Sequence, residues 1–164
     1  MSEDLAARLL RMSEIHGDFV LSSGQRSDTY FDKFRFLTDP AVLGELAETV
    51  AGMIPSDVTL LASPEGAATL LLSAVSLQTG LPMAVVRKEP KTYGTRSQVE
   101  GEVSPGARVA LIEDVATTGH QTLAAARALQ ETGAEMAVVI LTIDRGGAEP
   151  LRGEGFEVRA VATV

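Results

Sequence analysis

The chain has 164 residues, of which 45% are apolar and 22% charged, and a formal net charge of −8; the length suits one domain around a single core, and the acidity argues against a general nucleic-acid binder. It has no cysteine for a disulfide or a thiolate metal site, and only His16 and His120 for a histidine one. The charged, amphipathic start lacks the apolar core of a signal peptide and no apolar run reaches membrane-span length, so a cytoplasmic protein is expected.

Leu5, Leu9 and Met12 stand at helical spacing and predict an amphipathic helix over residues 3–16. Gly17, Ser22, Ser23, Gly24 and Asp28 then punctuate short apolar pieces, predicting a turn-rich region with extended segments at 18–21 and 29–33. Pro40 opens a second helix with Leu43, Leu46, Ala47, Val50 and Ile54 on one face and Asp39 as its N-cap. From Val58 the pattern changes to short aliphatic runs at 58–62, 82–86, 108–112 and 136–143, the kind found in buried parallel strands. Helices are predicted between them at 67–78 and 120–131, the latter closed by Gly133. A short helix at 148–153 precedes a last strand at 157–163. This order predicts an α/β fold: an open parallel sheet flanked by helices on both faces. The 87–104 connection exceeds ordinary loop length and is a candidate lid. Between Arg87 and Gly101, four basic residues (Arg87, Lys88, Lys91, Arg96) stand against two acids (Glu89, Glu100). Such a stretch on an acidic chain suits a small anionic ligand; a solvated loop is the plainer alternative.

The strongest chemical signal is Val109-Ala110-Leu111-Ile112-Glu113-Asp114-Val115-Ala116-Thr117-Thr118-Gly119-His120. An apolar strand runs into two adjacent carboxylates, then a Thr-Thr-Gly turn, then a helix. Open α/β sheets bind ligands at the carboxyl ends of their strands. Amides of such a turn and of the helix start cradle a phosphate, and the hydroxyls of Thr117, Thr118 and Thr122 can donate to it. Glu113 and Asp114 would repel a phosphate but can accept hydrogen bonds from sugar hydroxyls. The pairing suits a ribose 5-phosphate; the bland alternative is an acidic pair that caps the helix.

This segment resembles the phosphoribosyl pyrophosphate (PRPP) signature of the type I phosphoribosyltransferases. Residues 16–33, with Tyr30 and Phe31, look like the small N-terminal hood of the orotate phosphoribosyltransferases, which would occupy about residues 1–37 of a single domain. Arg87-Lys88-Glu89-Pro90-Lys91-Thr92-Tyr93-Gly94 resembles their mobile catalytic loop, about residues 87–103, and Ile143-Asp144-Arg145-Gly146 their strand end near the base.

The resemblance implies a Mg2+-dependent pentosyl transfer: orotate displaces pyrophosphate from PRPP to give orotidine 5′-monophosphate, in pyrimidine biosynthesis. It implies catalytic roles for Arg87, Lys88, Lys91 and Asp114. PRPP contacts would come from Glu113, Asp114, Ala116, Thr117, Thr118, Gly119, His120, Gln121, Thr122, Arg87, Lys88, Lys91 and Tyr93. Orotate contacts would come from Thr117, Arg145, Tyr30 and Phe31. No strong protein ligand for Mg2+ is implied, PRPP itself holding the ion. A homodimer follows, with the loop shared between subunits. Four positions depart from the family pattern. Ser22 replaces a common Lys, Ala67-Ala68 a common Gly-Gly pair, and His120 a small residue, here expected to be exposed in the first helical turn. Alanine at 67 or 68 is costly if the loop needs positive φ there. Two other functions fit the cradle: transfer to a purine or xanthine, or a non-catalytic PRPP-binding regulator. Arg145, Tyr30 and Phe31 favour an acidic pyrimidine, and a regulator has no need of leaving-group cations.

Overall fold

The computed structural model describes residues 4–21 and 24–164, so Ser22 and Glu3, the first residue of the predicted opening helix, lie outside the described residues. Helix α1 (Leu5–Ser13) buries Leu5 and Leu9. It stops earlier than predicted where the Ser13 carbonyl accepts from the Asp32 amide at 2.7 Å and the chain extends into the next strand. β1 (Glu14–Val20) and β2 (Arg26–Phe31) pair as an antiparallel hairpin; they overlap the extended segments predicted at 18–21 and 29–33 and begin earlier than either. A short helix α2 (Phe34–Leu37), unforeseen from the sequence, buries Phe36 and Leu37. In α3 (Pro40–Gly52) Asp39 is the predicted N-cap: its carboxylate accepts from the Ala41 and Val42 amides at 3.0 and 3.1 Å.

The remaining elements are β3 (Leu60–Pro64), α4 (Ala68–Thr79), β4 (Met83–Val86), β5 (Val99–Glu100), β6 (Arg108–Ala116), α5 (His120–Glu131), β7 (Glu135–Asp144), α6 (Ala148–Gly153) and β8 (Val158–Thr163). Among the described residues, six strands form a sheet in the order β5-β4-β3-β6-β7-β8, parallel except for the β4–β5 pair. Residues from α1, α2, α3 and α4 pack one apolar layer against the sheet, and residues from α5 and α6 pack another. That is the flanked open sheet the sequence predicts. No helix among the described residues is long and apolar enough to cross a membrane.

Two differences from the sequence reading bear on function. Strands β6 and β7 run on to Ala116 and Asp144, which pair with each other, so Glu113 and Asp114 lie inside a strand rather than after it. Val99 and Glu100 pair with Val86 and Val85, so the return end of the predicted lid belongs to the sheet edge. Strand order reverses between β3 and β6, the switch point where doubly wound sheets open a ligand crevice.

Candidate active site

Side chains alternate across a strand, so two adjacent acids within β6 must face opposite ways. Glu113 turns towards α5, where its Oε2 accepts from the Thr122 hydroxyl at 3.1 Å and its Oε1 from the Asp114 amide at 3.1 Å. Asp114 turns towards the hood, where Lys33 Nζ stands 3.1 and 3.0 Å from its two carboxylate oxygens. Both acids are buried. Neither caps the following helix, whose N-cap is Gly119 without a side-chain bond, so the capping alternative is set aside. The Thr122 hydroxyl, expected among the phosphate donors, is instead directed to Glu113, because a buried carboxylate demands a donor more strongly than open solvent does.

Glu113 is pushed from the ordinary carboxyl range up to about 7, first by burial and second by the charge of Asp114. The hydrogen bonds from Asp114 and Thr122 and the charge of Lys33 pull the other way without cancelling this. Because the folded chain keeps this proton to higher pH than the unfolded chain, the group favours folding at low pH and loses that contribution as pH rises through about 7. Glu113→Gln should therefore gain stability on the wild type more at about pH 8 than at about pH 5, by a differential on the order of 3 kcal/mol. Thermal unfolding of both proteins at both pH values measures it; parallel curves would contradict it.

Beyond β6, Thr117 and Thr118 are exposed on the turn, and Gly119 has a φ of 74°. His120 is exposed in the first turn of α5, as expected, its amide donating to the Thr118 hydroxyl at 3.4 Å. Ala116 is buried, and its carbonyl accepts from the amides of Arg145 and Gly147 at 2.8 and 3.3 Å. That ties the end of β6 to the turn after β7. There Asp144 Oδ1 accepts from the Gly146 and Ala148 amides at 2.9 and 3.0 Å, fixing the turn from which Arg145 projects.

A cavity of about 310 Å³ lies beside the switch point, walled by Arg87, Lys88, His120 and Gln121 together with Pro64 and Gln98 among others. The Lys88 amide donates to Glu65 Oε1 at 2.7 Å, and Gln98 Nε2 donates to the Arg87 carbonyl at 3.0 Å, so the base of the lid is anchored on both sides. Lys91 is turned away onto Glu100 at 2.5 Å, with Arg87 3.9 Å from the same carboxylate. Tyr93 is exposed further out in the loop. The Ala67-Ala68 departure is harmless to this turn. Gly66 carries the positive φ of 113°, while Ala67 sits in the right-handed helical region at φ −63°.

A second cavity, of about 450 Å³, opens on the hood side, where Tyr30, Phe31 and Arg145 meet Thr29, Ser27 and Glu14. The Arg145 guanidinium lies over the Phe31 ring, 4.7 Å from its centroid, so three of the four residues expected at the base share one pocket. Lys33 is the residue the sequence reading passed over. It stands in the quoted hood segment, but nothing local signals a partner 81 positions away.

No protein-family model matches the chain. A protein named orotate phosphoribosyltransferase from Thermococcus gammatolerans is 45% identical over 155 residues, spanning 92% of this chain and 82% of that one. The crystal structure of orotate phosphoribosyltransferase from Aeropyrum pernix superposes with a TM-score of 0.80 at 32% identity, covering 98% of this chain and 93% of that one. The Mycobacterium tuberculosis orotate phosphoribosyltransferase in complex with PRPP matches with a TM-score of 0.75 at 28% identity, covering 97% and 93%.

Proposed function

The chain belongs to the orotate phosphoribosyltransferase family of pyrimidine biosynthesis, and we propose that the end of β6 seats the ribose phosphate of PRPP between a leaving-group side and a base side. One observation carries this reading. The acids of β6 straddle the strand, Glu113 on the α5 side and Asp114 on the hood side, directly before the Thr117-Thr118-Gly119 turn. A ribose placed over the strand end meets an acidic side chain from each face for its two hydroxyls. Its 5-phosphate then reaches the hydroxyls of Thr117 and Thr118 and the amides from Gly119 to Thr122 at the start of α5.

The pyrophosphate belongs on the side of the 310 Å³ cavity, where Arg87 and Lys88 are already in the wall. As the bond to the anomeric carbon breaks, negative charge gathers on the pyrophosphate, and cations set around it stabilise that state more than the ground state. Lys91 and Tyr93 join them when the loop leaves Glu100. Orotate belongs in the hood-side cavity, its planar acid group against Arg145 and its ring beside Phe31, Tyr30 and the Thr117 turn.

Mg2+ accompanies PRPP in this reading and supplies charge neutralisation at the diphosphate. Among the described residues no group of three or more His, Cys, Asp or Glu side chains gathers to hold a metal. Phosphate oxygens and water suit a small, hard ion of this kind, so in this reading PRPP would hold it and the ion would supply charge neutralisation to the leaving group. The chain is taken as one phosphoribosyltransferase domain working in the cytoplasm as a homodimer, with the loop of one subunit serving the site of the other; sedimentation velocity tests this, a monomer at working concentration being the contrary result.

Incubation with PRPP, Mg2+ and a panel of bases should consume orotate and leave purines and xanthine untouched. Turnover of a purine in place of orotate would assign the base pocket to the other substrate class, and PRPP binding without any turnover would make the protein a regulator. Arg145→Gln should raise the orotate KM by about 10–100-fold, the scale of a lost hydrogen bond to a charged group; an unchanged KM would remove Arg145 from the base.

A further inference from the structure

We propose that Lys33 is a positioning residue for the ribose, its ammonium fixing the Asp114 carboxylate in charge and orientation and so making the hood part of the PRPP site. The proposal rests on the reading of Asp114 as an acceptor for the ribose hydroxyls. Lys33 Nζ contacts both oxygens of Asp114 nearly equally, at 3.1 and 3.0 Å. The Asp114 side chain is only 2% exposed, whereas that of Lys33 is 38% exposed. The Val115 amide also donates to Asp114 Oδ1. A carboxylate gripped this way has little freedom to rotate.

The charges around it leave Lys33 the balancing role. Glu113 precedes Asp114 in β6, facing α5, where the neutral hydroxyl of Thr122 donates to it. On neighbouring β7, Asp144 is another acid, already satisfied by the Gly146 and Ala148 amides. A buried ionised carboxylate with a like charge beside it is expensive unless a cation is paired with it. Lys33 supplies that cation from the hood. It also lies two residues after Phe31, whose ring carries Arg145. The end of β2 therefore touches the base pocket and the ribose acid at once, so hood placement and ribose placement are one event.

The test is kcat/KM for PRPP followed with pH in wild type, Lys33→Met and Lys33→Arg, each also in an Asp114→Asn background. Lys33→Met should lower kcat/KM by about tenfold or more, as loss of a partner to a buried charge does. It should also move the acid limb of the profile to higher pH, since a cation beside the acids is lost. Lys33→Arg should restore most of both, since it returns the charge. In the Asp114→Asn background Lys33→Met should cost little further, because the two changes remove one interaction. An unmoved acid limb, or an equal loss with Asp114 already replaced, overturns the proposal while leaving the ribose site intact. If Asp114→Asn alone leaves calorimetric PRPP binding unchanged, the ribose assignment itself fails, and this inference with it.

Discussion

Lys88→Ala should reduce orotate turnover by about 10²–10³-fold, the usual scale for one electrostatic donor aimed at developing charge. The loss should fall on kcat more than on KM for PRPP. In PRPP the diphosphate already carries its charge in solution, and the extra charge that reaches the leaving oxygen exists only as the bond breaks. The local structure explains why this residue is chosen above its neighbours. The Lys88 amide is anchored to Glu65 and the carbonyl of Arg87 to Gln98, while the side chain is exposed at the wall of the cavity beside the switch point. The backbone is thus placed before substrate arrives and only the flexible stem must move. Lys91 starts from the opposite condition, paired with Glu100. Its contribution requires exchanging that partner for pyrophosphate. Single-turnover kinetics with saturating PRPP separates the chemical step from loop movement. Unchanged single-turnover rates in Lys88→Ala would place the leaving-group cations elsewhere.

Much of this site is legible in the chain because local chemistry announces it. The run into Glu113-Asp114, the Thr-Thr-Gly turn and the helix start obey short-range rules, as does the Asp39-Pro40 helix entry, and the structure has each of these where the sequence puts it. What escaped depends on partners distant in sequence. The apolar run of β6 ends at Ile112, but the strand continues because Val115 and Ala116 pair with Ile143 and Asp144. Those pairs turn a side-by-side acid pair into one that straddles the sheet. Strand β2 carries Arg, Ser, Asp and Thr with neither face fully buried, so only its end falls in the extended segment predicted at 29–33 and its start is not signalled by apolar alternation. Val99 and Glu100 become a strand only because β4 leaves an edge for them. Lys33 reads as one more polar hood residue until the fold brings Asp114 to it. At Ala67-Ala68, too, sequence does not say which residue of the turn takes the left-handed conformation; Gly66 does.

The turn that ends β6 should tolerate no side chain at Gly119, for two separate reasons that add. Its φ of 74° lies in the left-handed region, where an alanine costs about 1–2 kcal/mol. A Cβ built there would also stand 2.7 Å from the Gly147 carbonyl oxygen and 3.3 Å from Leu151 Cγ. The leucine end can shift; the carbonyl belongs to the turn after β7, which is itself pressed on β6. Gly147 has no room either, since a Cβ there would lie 2.5 Å from Ala116 Cβ and 2.9 Å from its carbonyl carbon. The two turns are therefore interlocked, and pushing one moves both the phosphate cradle and the base of Arg145. Gly119→Ala should destabilise the fold by about 2–4 kcal/mol when overpacking is added to backbone strain, lowering Tm by roughly 5–15 °C for a chain of this size. PRPP affinity should fall with it, because the start of α5 would be displaced from the phosphate. Gly44→Ala in α3, where a new Cβ meets nothing within 4 Å, should instead hold or raise stability. Thermal unfolding together with calorimetric PRPP binding checks both variants. A Gly119→Ala protein that melts with the wild type and binds PRPP as tightly would mean that the close turn is no part of the phosphate cradle.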